Sequence, residues 1–267
     1  LSVGGGLDVS FPEELYEQAF KCMRCGFCVV KCPAWETTGW ESGSPRGRML
    51  QIKGVVDGFL KPTDYLIENI YKCTFCEYCL WRCPAGVETT EVIKGFREYL
   101  VKLGKYPKVL DNVAEALAEE HNIYNFPNDS RADWIDYADL EEVKVGEPAE
   151  VVYFVGCVSS MTGRAMGIAS STARILSHLG LDWTLLGEDE WCCGNPMVLS
   201  GRVEGFEETA RHNVEAIRKL GAKLVVTSCP GCYKTFTREY PKIVGDLGFE
   251  VKHMLQAVSY THLTLPT

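Results

Sequence analysis

The sequence predicts a multidomain protein, with a mainly helical N-terminal domain followed by an α/β domain built as a three-layer, parallel-sheet sandwich. Three observations carry that prediction. A cysteine-rich segment recurs at an offset of 51 residues, from Cys22 to Cys73, each copy behind apolar residues at helical spacing. From Glu150 onward, short apolar runs alternate with amphipathic stretches of helical period. Five further cysteines each fall just after one of those apolar runs.

The repeated segments are Leu15–Pro33, LYEQAFKCMRCGFCVVKCP, and Leu66–Pro84, LIENIYKCTFCEYCLWRCP. Leu15, Ala19 and Cys22 align with Leu66, Ile70 and Cys73 at the i, i+4, i+7 spacing of a helical stripe. This spacing puts the first cysteine of each motif on the buried face of a helix. Ser10 with Glu13 forms a candidate capping box, and Thr63 a candidate N-cap. A third helix is expected over 90–103, with Val92, Phe96, Leu100 and Leu103 on one face and Gly104 at its exit. Another is expected over 108–120. No strand is expected before residue 149, so residues 1–124 read as one mainly helical domain.

The motifs are Cys22-x2-Cys25-x2-Cys28-x3-Cys32-Pro33 and Cys73-x2-Cys76-x2-Cys79-x3-Cys83-Pro84. Three closely spaced cysteines can wrap one [4Fe–4S] cubane, while the fourth, three residues on, ligates the partner cluster. The expected assignment is therefore crossed. Cys22, Cys25, Cys28 and Cys83 hold one cluster, and Cys73, Cys76, Cys79 and Cys32 hold the other. Crossed ligation keeps the clusters close and makes the pair an electron wire. Zinc is the competing reading, but zinc sites use separated cysteine pairs rather than four cysteines ending in proline. Each cubane with four thiolates is an anion, so nearby cations offset its burial. Arg46, Arg48, Lys21 and Lys72 are the candidates, with a solvated loop as the alternative.

Residues 125–149 are acidic, carry Pro127 and Pro148, and lack a clear period. They read as a linker with one short helix, in which Trp134 packs locally. Beyond it, strands are expected at 151–155, 181–186 and 223–227, with a fourth beginning at 249–252. Helices are expected at 164–179, 203–220 and 233–244. Cys157 then follows the first strand, Cys192 and Cys193 the second, and Cys229 and Cys232 the third. All five lie beyond the carboxyl ends of parallel strands, where open α/β sheets build their sites. Adjacent Cys192 and Cys193 require an irregular loop to turn both inward, and Gly194 supplies the backbone freedom. Cys232, near a helix N-terminus, is expected to favour the thiolate. Zinc or a dithiol at Cys229-x2-Cys232 are the competing uses.

The chain has 267 residues and thirteen cysteines, an odd number that suits metal or redox chemistry better than disulfides. A net charge of −9 excludes the basic footprint of a nucleic-acid binder. No apolar run approaches the roughly 20 residues of a membrane span. Residues 1–10 lack the pattern of a signal peptide, so a cytoplasmic protein is expected, with any attachment to the inner face of the membrane made through a partner subunit. Gly4-Gly5-Gly6 follows no strand and is not a phosphate loop. His121, His178 and His212 are expected on surfaces or in the core rather than as ligands, and His253 has no assigned role. Residues 258–267, VSYTHLTLPT, read as a translated sequencing adaptor, so the natural sequence is expected to break off near Ala257.

The spacing Cys157-x34-Cys192-Cys193-Gly194-x34-Cys229-x2-Cys232 resembles the cysteine-rich CCG domain of heterodisulfide reductases. The N-terminal motifs, with Ser44-Pro45-Arg46-Gly47-Arg48 between them, resemble the helical ferredoxin domains of respiratory dehydrogenase iron–sulfur subunits. A ferredoxin domain followed by a CCG domain over 150–257 is similar to the D-type subunit of heterodisulfide reductases. Its relatives include iron–sulfur subunits of glycolate, lactate and anaerobic glycerol-3-phosphate dehydrogenases. The resemblance implies a noncubane [4Fe–4S] cluster on Cys157, Cys192, Cys193, Cys229 and Cys232, with zinc as the alternative. It further implies an oxidoreductase subunit in which two cubanes feed electrons to that cluster, which reduces a disulfide or similar acceptor. The alternative is a non-catalytic electron-transfer subunit of a flavin-dependent dehydrogenase. The implied partners are a flavoprotein or a membrane cytochrome subunit. The family normally carries two consecutive CCG domains and this sequence has one, which the early break near Ala257 would explain.

Overall fold

The computed structural model describes residues 9–138, 140 and 142–263, with backbone alone for 260–263. The glycine run at 4–6 lies outside the described residues, as do the side chains of residues 260–267 within the suspected adaptor. The chain divides into two compact units. One comprises Leu1–Asp111 with Met197–Val203, and the other Asn112–Pro196 with Glu204–Thr267.

The described residues of the first unit form helices α1 (Glu13–Phe20), α2 (Pro33–Thr38), α3 (Pro45–Val56), α4 (Asp64–Tyr71), α5 (Tyr78–Arg82) and α6 (Thr89–Lys102). Helix α6 supplies the core. Val92, Ile93, Phe96 and Leu100 are fully buried on it and pack with Met49, Ile52 and Ile70 from α3 and α4. Thr63 caps α4 as expected, accepting from the Leu66 amide. The Ser10–Glu13 capping box does not form. Pro12 is the N-cap of α1 and carries no side-chain acceptor, so the proline fixes the direction in which the chain approaches the helix instead. Helices α1 and α4 end at Phe20 and Tyr71, so Cys22 and Cys73 stand just past them rather than on a helical face. Their amides still bond to Ala19 and Ile70 carbonyls, and both cysteines pack against the core.

Met197–Val203 belongs to this unit although it lies far along the chain. Tyr71 Oη donates to the Ser200 carbonyl at 2.8 Å, Arg97 Nη1 donates to that of Leu199 at 2.5 Å, and Arg202 pairs with Asp111.

The second unit is built on a five-stranded parallel sheet, β1 (Lys144–Val145), β2 (Val151–Phe154), β3 (Trp183–Leu185), β4 (Leu224–Thr227) and β5 (Glu250–His253), in the order β1-β3-β2-β4-β5. The register pairs Val151 with Trp183 on one side and with Leu224 on the other, and Leu224 with Glu250. Strand β2 is buried along its whole length, as a central parallel strand should be. The crossover helices are α9 (Met166–His178) and α11 (Phe206–Lys219), with α8 (Cys157–Met161) directly after β2 and α12 (Pro230–Lys234) directly after β4. Helix α7 (Val109–Glu119) opens the unit, α10 (Asn195–Ser200) leads out of it, and α13 (Tyr240–Val244) and α14 (Met254–Leu263) close the chain. Ala169, Ala173 and Leu176 of α9 pack on Val151, Tyr153 and Leu185.

Two features depart from the sequence-based expectation. The contact boundary follows Asp111 rather than residue 124, which places most of α7, with its buried Ala116 and Leu117, in the second unit. Residues 125–149, expected as a linker with one short helix, hold that helix and more. They contain a 3-10 helix, Asn128–Tyr137, whose Arg131 and Trp134 are buried, and a two-residue edge strand paired to β3. So short a strand has no period to read and forms only because β3 presents a free edge.

Candidate functional site

All thirteen cysteines are free thiols. In the first unit they gather at two small adjoining cavities. One is lined by Cys22, Cys25, Cys28 and Cys83, with Arg24, Arg46 and Met49. The other is lined by Cys32, Cys73, Cys76 and Cys79, with Arg48 and Thr90; Cys28 reaches both. The first cavity thus receives three cysteines from the first motif and one from the second, and the other three from the second motif and two, Cys28 and Cys32, from the first.

These cavities suit an anionic, sulfur-ligated group. Burial pushes the Cys28 and Cys79 thiols up to about 11, so thiolates there need a compensating positive charge, which iron supplies. Thr89 Oγ1 donates to Cys79 Sγ at 2.9 Å and the Val87 amide to Cys83 Sγ at 3.3 Å. Arg48 is 1% exposed; its Nε donates to the Asn69 carbonyl, while its Nη2 has no partner. A buried guanidinium nitrogen with nothing to bond beside a cluster of cysteines fits an anionic acceptor there. Arg46 pairs with Glu41 and donates to the Arg24 carbonyl within the first cysteine loop. Lys72 pairs with Glu68, and neither it nor Lys21 lines a cavity.

The other five cysteines meet in the second unit. Cys157 starts α8, Cys192 and Cys193 lie between β3 and α10, and Cys229 and Cys232 flank the start of α12. They line one cavity of about 270 Å³, together with Ile123, Val158, Ile168, Pro196 and Pro230. Val158 and Ile168 are half exposed, which brings the cavity to the surface. Two glycines shape the loops. Gly194 adopts φ 80°, as the Cys-Cys turn requires. Gly156 has φ 78°, and a Cβ there would stand 3.1 Å from Cys232 Sγ.

The five sulfurs form a hydrogen-bonded chain, Cys157 to Cys192 to Cys193 to Cys232 to Cys229. Bonds from Cys192 and Cys232 pull Cys193 down to about 5, and the bond from Cys232 pulls Cys229 down to about 6. Cys232 itself lies well above the usual thiol range, because it donates to both neighbours and is buried. Cys232, expected to favour the thiolate, is thus pushed up, while Cys229, the N-cap of α12, is pulled down. Among the described residues, no three Cys, His, Asp or Glu side chains already surround a single ion position.

Behind the chain lies a set of residues that the sequence did not single out. Arg131 Nη2 donates to Cys157 Sγ at 3.5 Å, and its Nη1 to Glu190 Oε1 at 2.9 Å. Burial raises the Glu190 carboxyl, while Arg131 and the Val155 and Gly156 amides lower it. Asn213 Nδ2 donates to the Cys192 carbonyl and to Tyr240 Oη, and its Oδ1 accepts from the Trp191 amide. His121 and His212 sandwich the Trp191 ring at 3.5 and 3.7 Å between centroids, so both are used in packing, as expected of non-ligands. His253 Nε2 lies 3.1 Å from the Ser228 carbonyl. Nothing in sequence period marks Arg131 or Asn213, which meet the cysteines only through the sheet.

Comparisons with known proteins agree with this geometry. Residues 18–87 match the 4Fe-4S dicluster domain family, and residues 151–237 the cysteine-rich domain family CCG. The D-type subunit of the dihydromethanophenazine:CoB–CoM heterodisulfide reductase of Methanosarcina mazei is 34% identical over 88% of this chain and 61% of its own length. A probable glycolate oxidase iron–sulfur subunit of Bacillus subtilis is 24% identical over 88% of this chain and 62% of its own. The EtfAB:quinone oxidoreductase of Syntrophomonas wolfei is 23% identical over 89% and 38%. The chain thus spans about three fifths of the length of the reductase subunits it matches. No solved structure matches it.

Proposed function

We propose, from the matches to the CCG and 4Fe-4S dicluster domain families and the similarity to the D-type subunit of heterodisulfide reductases, that this chain is an iron–sulfur protein and the electron-delivering subunit of a disulfide-reducing complex. In this reading Cys22, Cys25, Cys28 and Cys83 hold one cubane, Cys73, Cys76, Cys79 and Cys32 the second, and Cys157, Cys192, Cys193, Cys229 and Cys232 a noncubane [4Fe–4S] cluster. The clusters would supply one-electron transfer and, at the five-cysteine centre, reduction of a disulfide RSSR′ by two electrons and two protons to RSH and R′SH. The electrons come from a partner subunit, a flavoprotein or a membrane cytochrome.

The chain's own residues prepare the sites. Thr89, the Val87 amide and Arg48 place hydrogen-bond donors at the cubane sulfurs and cavity. Gly156 and Gly194 shape two of the loops that bring the five cysteines to one space, which Ile123, Val158 and Ile168 line with apolar side chains. The observation that carries the reading is this convergence of five sulfurs from three strand-end loops on one surface-reaching cavity. Placement of five thiols at one point in the fold has no packing explanation.

A second reading is favoured by the similarity to the glycolate oxidase iron–sulfur subunit and the EtfAB:quinone oxidoreductase. There the chain only relays electrons between a flavoprotein and a further carrier. One experiment separates these uses. Anaerobically purified protein should hold about 12 iron atoms per chain, whereas zinc at the third site gives about 8 iron and one zinc. Adding a disulfide to the reduced protein should then produce a new paramagnetic signal. An unchanged spectrum at full iron content favours the relay.

A further inference from the structure

Arg131 is 2% exposed, yet every nitrogen of its guanidinium has a partner. Its Nε donates to Asn128 Oδ1 at 2.8 Å and its Nη1 to Glu190 Oε1 at 2.9 Å. Its Nη2 donates to the His121 carbonyl at 3.1 Å and to Cys157 Sγ at 3.5 Å. The Glu190 carboxylate, also 2% exposed, accepts the Val155 and Gly156 amides at 2.9 and 2.8 Å. The His121 carbonyl that receives Arg131 also receives the Cys192 amide, at 2.7 Å. One guanidinium therefore braces two of the three loops that carry the five cysteines.

A buried ion pair of this kind is a weak source of stability, because desolvating both charges offsets their attraction. Bracing alone would need neither charge. What the charges add is an asymmetry: the cation touches a cysteine sulfur, whereas the carboxylate is taken up by backbone amides and by Arg131. Reduction of a metal centre adds negative charge at its ligands. A fixed cation hydrogen-bonded to a ligand sulfur stabilises that state more than the oxidised one, and does so strongly where water is excluded. Lysine could not repeat the arrangement, since only the planar fork reaches four acceptors at once.

We propose that Arg131, held by Glu190, is a positioning residue that fixes Cys157 and Cys192 and raises the reduction potential of the five-cysteine centre. The inference rests on the reading that these cysteines hold a redox cluster. Arg131 lies behind the sulfurs and is absent from the cavity lining, so it acts through Cys157 and not on the substrate.

The test is a potential titration of the whole protein followed by electron paramagnetic resonance, with the cubane pair as internal reference. In Arg131→Met the third centre should become at least tenfold harder to reduce, a downward shift of about 59 mV for one electron, with the cubane potentials unmoved. Arg131→Lys, which keeps the charge, should fall between Met and wild type. A third centre of unaltered potential in R131M overturns the inference. Where R131M loses iron from that centre, Glu190→Gln gives the measure, because it leaves the cation uncompensated and should shift the potential upward. An unchanged or lower potential in E190Q overturns the inference equally. Wild-type protein with no third redox centre would instead overturn the reading beneath it.

Discussion

Thr89 Oγ1 donates to Cys79 Sγ at 2.9 Å, and both residues are buried. The hydroxyl stands at the first residue of α6, so the helix that supplies the core of the first unit also delivers a donor to a candidate ligand. Removing it should make that cluster harder to reduce. Thr89→Val keeps the shape and should lower one cubane potential by about 60 mV or less, the one-electron equivalent of about 1.4 kcal/mol. A redox titration that finds both cubane potentials at their wild-type values would exclude a role for this bond.

The crossed arrangement predicts which substitutions should look alike. Cys22 and Cys83 lie 61 positions apart in the numbering yet line the same cavity, as do Cys73 and Cys32. Cys83→Ala should therefore reproduce the spectral loss of Cys22→Ala, and Cys32→Ala that of Cys73→Ala. Each variant should lose or alter one cubane signal and leave the other. Grouping by motif instead, with C83A resembling C73A, would refute the crossed assignment.

The cysteine sites were the most legible part of this molecule, because metal ligation imposes spacings that survive without any tertiary context. Strands β2, β3 and β4 were legible too, since a buried parallel strand must be an uninterrupted apolar run. What escaped was set by partners distant in sequence. Strand β1 exists because β3 offers an edge, and Arg131 is buried because Glu190 and Cys157 receive it. Cys232 is pushed up and Cys229 pulled down because their neighbouring sulfurs act on both, which the place of Cys232 near a helix start does not reveal. Met197–Val203 reads as part of one domain and packs in the other, since a contiguous sequence gives no sign of where its carbonyls find donors.

Acid should loosen that segment. Asp111 accepts from Tyr106 and pairs with Arg202, and these contacts hold its carboxyl below the usual value. A carboxylate whose folded pKa is depressed contributes stability above its unfolded value of about 3.9, and that contribution is lost as pH falls through the folded one. Asp111→Asn should thus be less stable than wild type at pH 7, and the difference should shrink progressively as pH falls below about 3.9. Urea melts from pH 7 downward measure it; a difference that does not shrink at all as pH falls would mean the carboxylate charge is irrelevant. The pair is partly exposed, so the effect at pH 7 should be small and should shrink further with salt.

Arg97 should matter far more to the same segment. It is 4% exposed and lies between the rings of Tyr71 and Phe75, at 4.5 and 4.6 Å from their centroids. Its Nη2 gathers the carbonyls of Ile70, Tyr71 and Cys73, while Nη1 holds that of Leu199. Burial drives its pKa down to about 10, still far above neutrality, so the cation persists and serves all four carbonyls, of which that of Ile70 also accepts from the Cys73 amide. Arg97→Met would preserve much of the volume and strand those acceptors, at a cost of about 3 kcal/mol. Because one acceptor is Cys73 itself, the loss should be local first. The cubane assigned to Cys73, Cys76, Cys79 and Cys32 should release iron to a chelator faster than its neighbour, with hydrogen exchange rising across 197–203. Equal release from both cubanes would show that Arg97 supports the unit as a whole rather than the Cys73 loop.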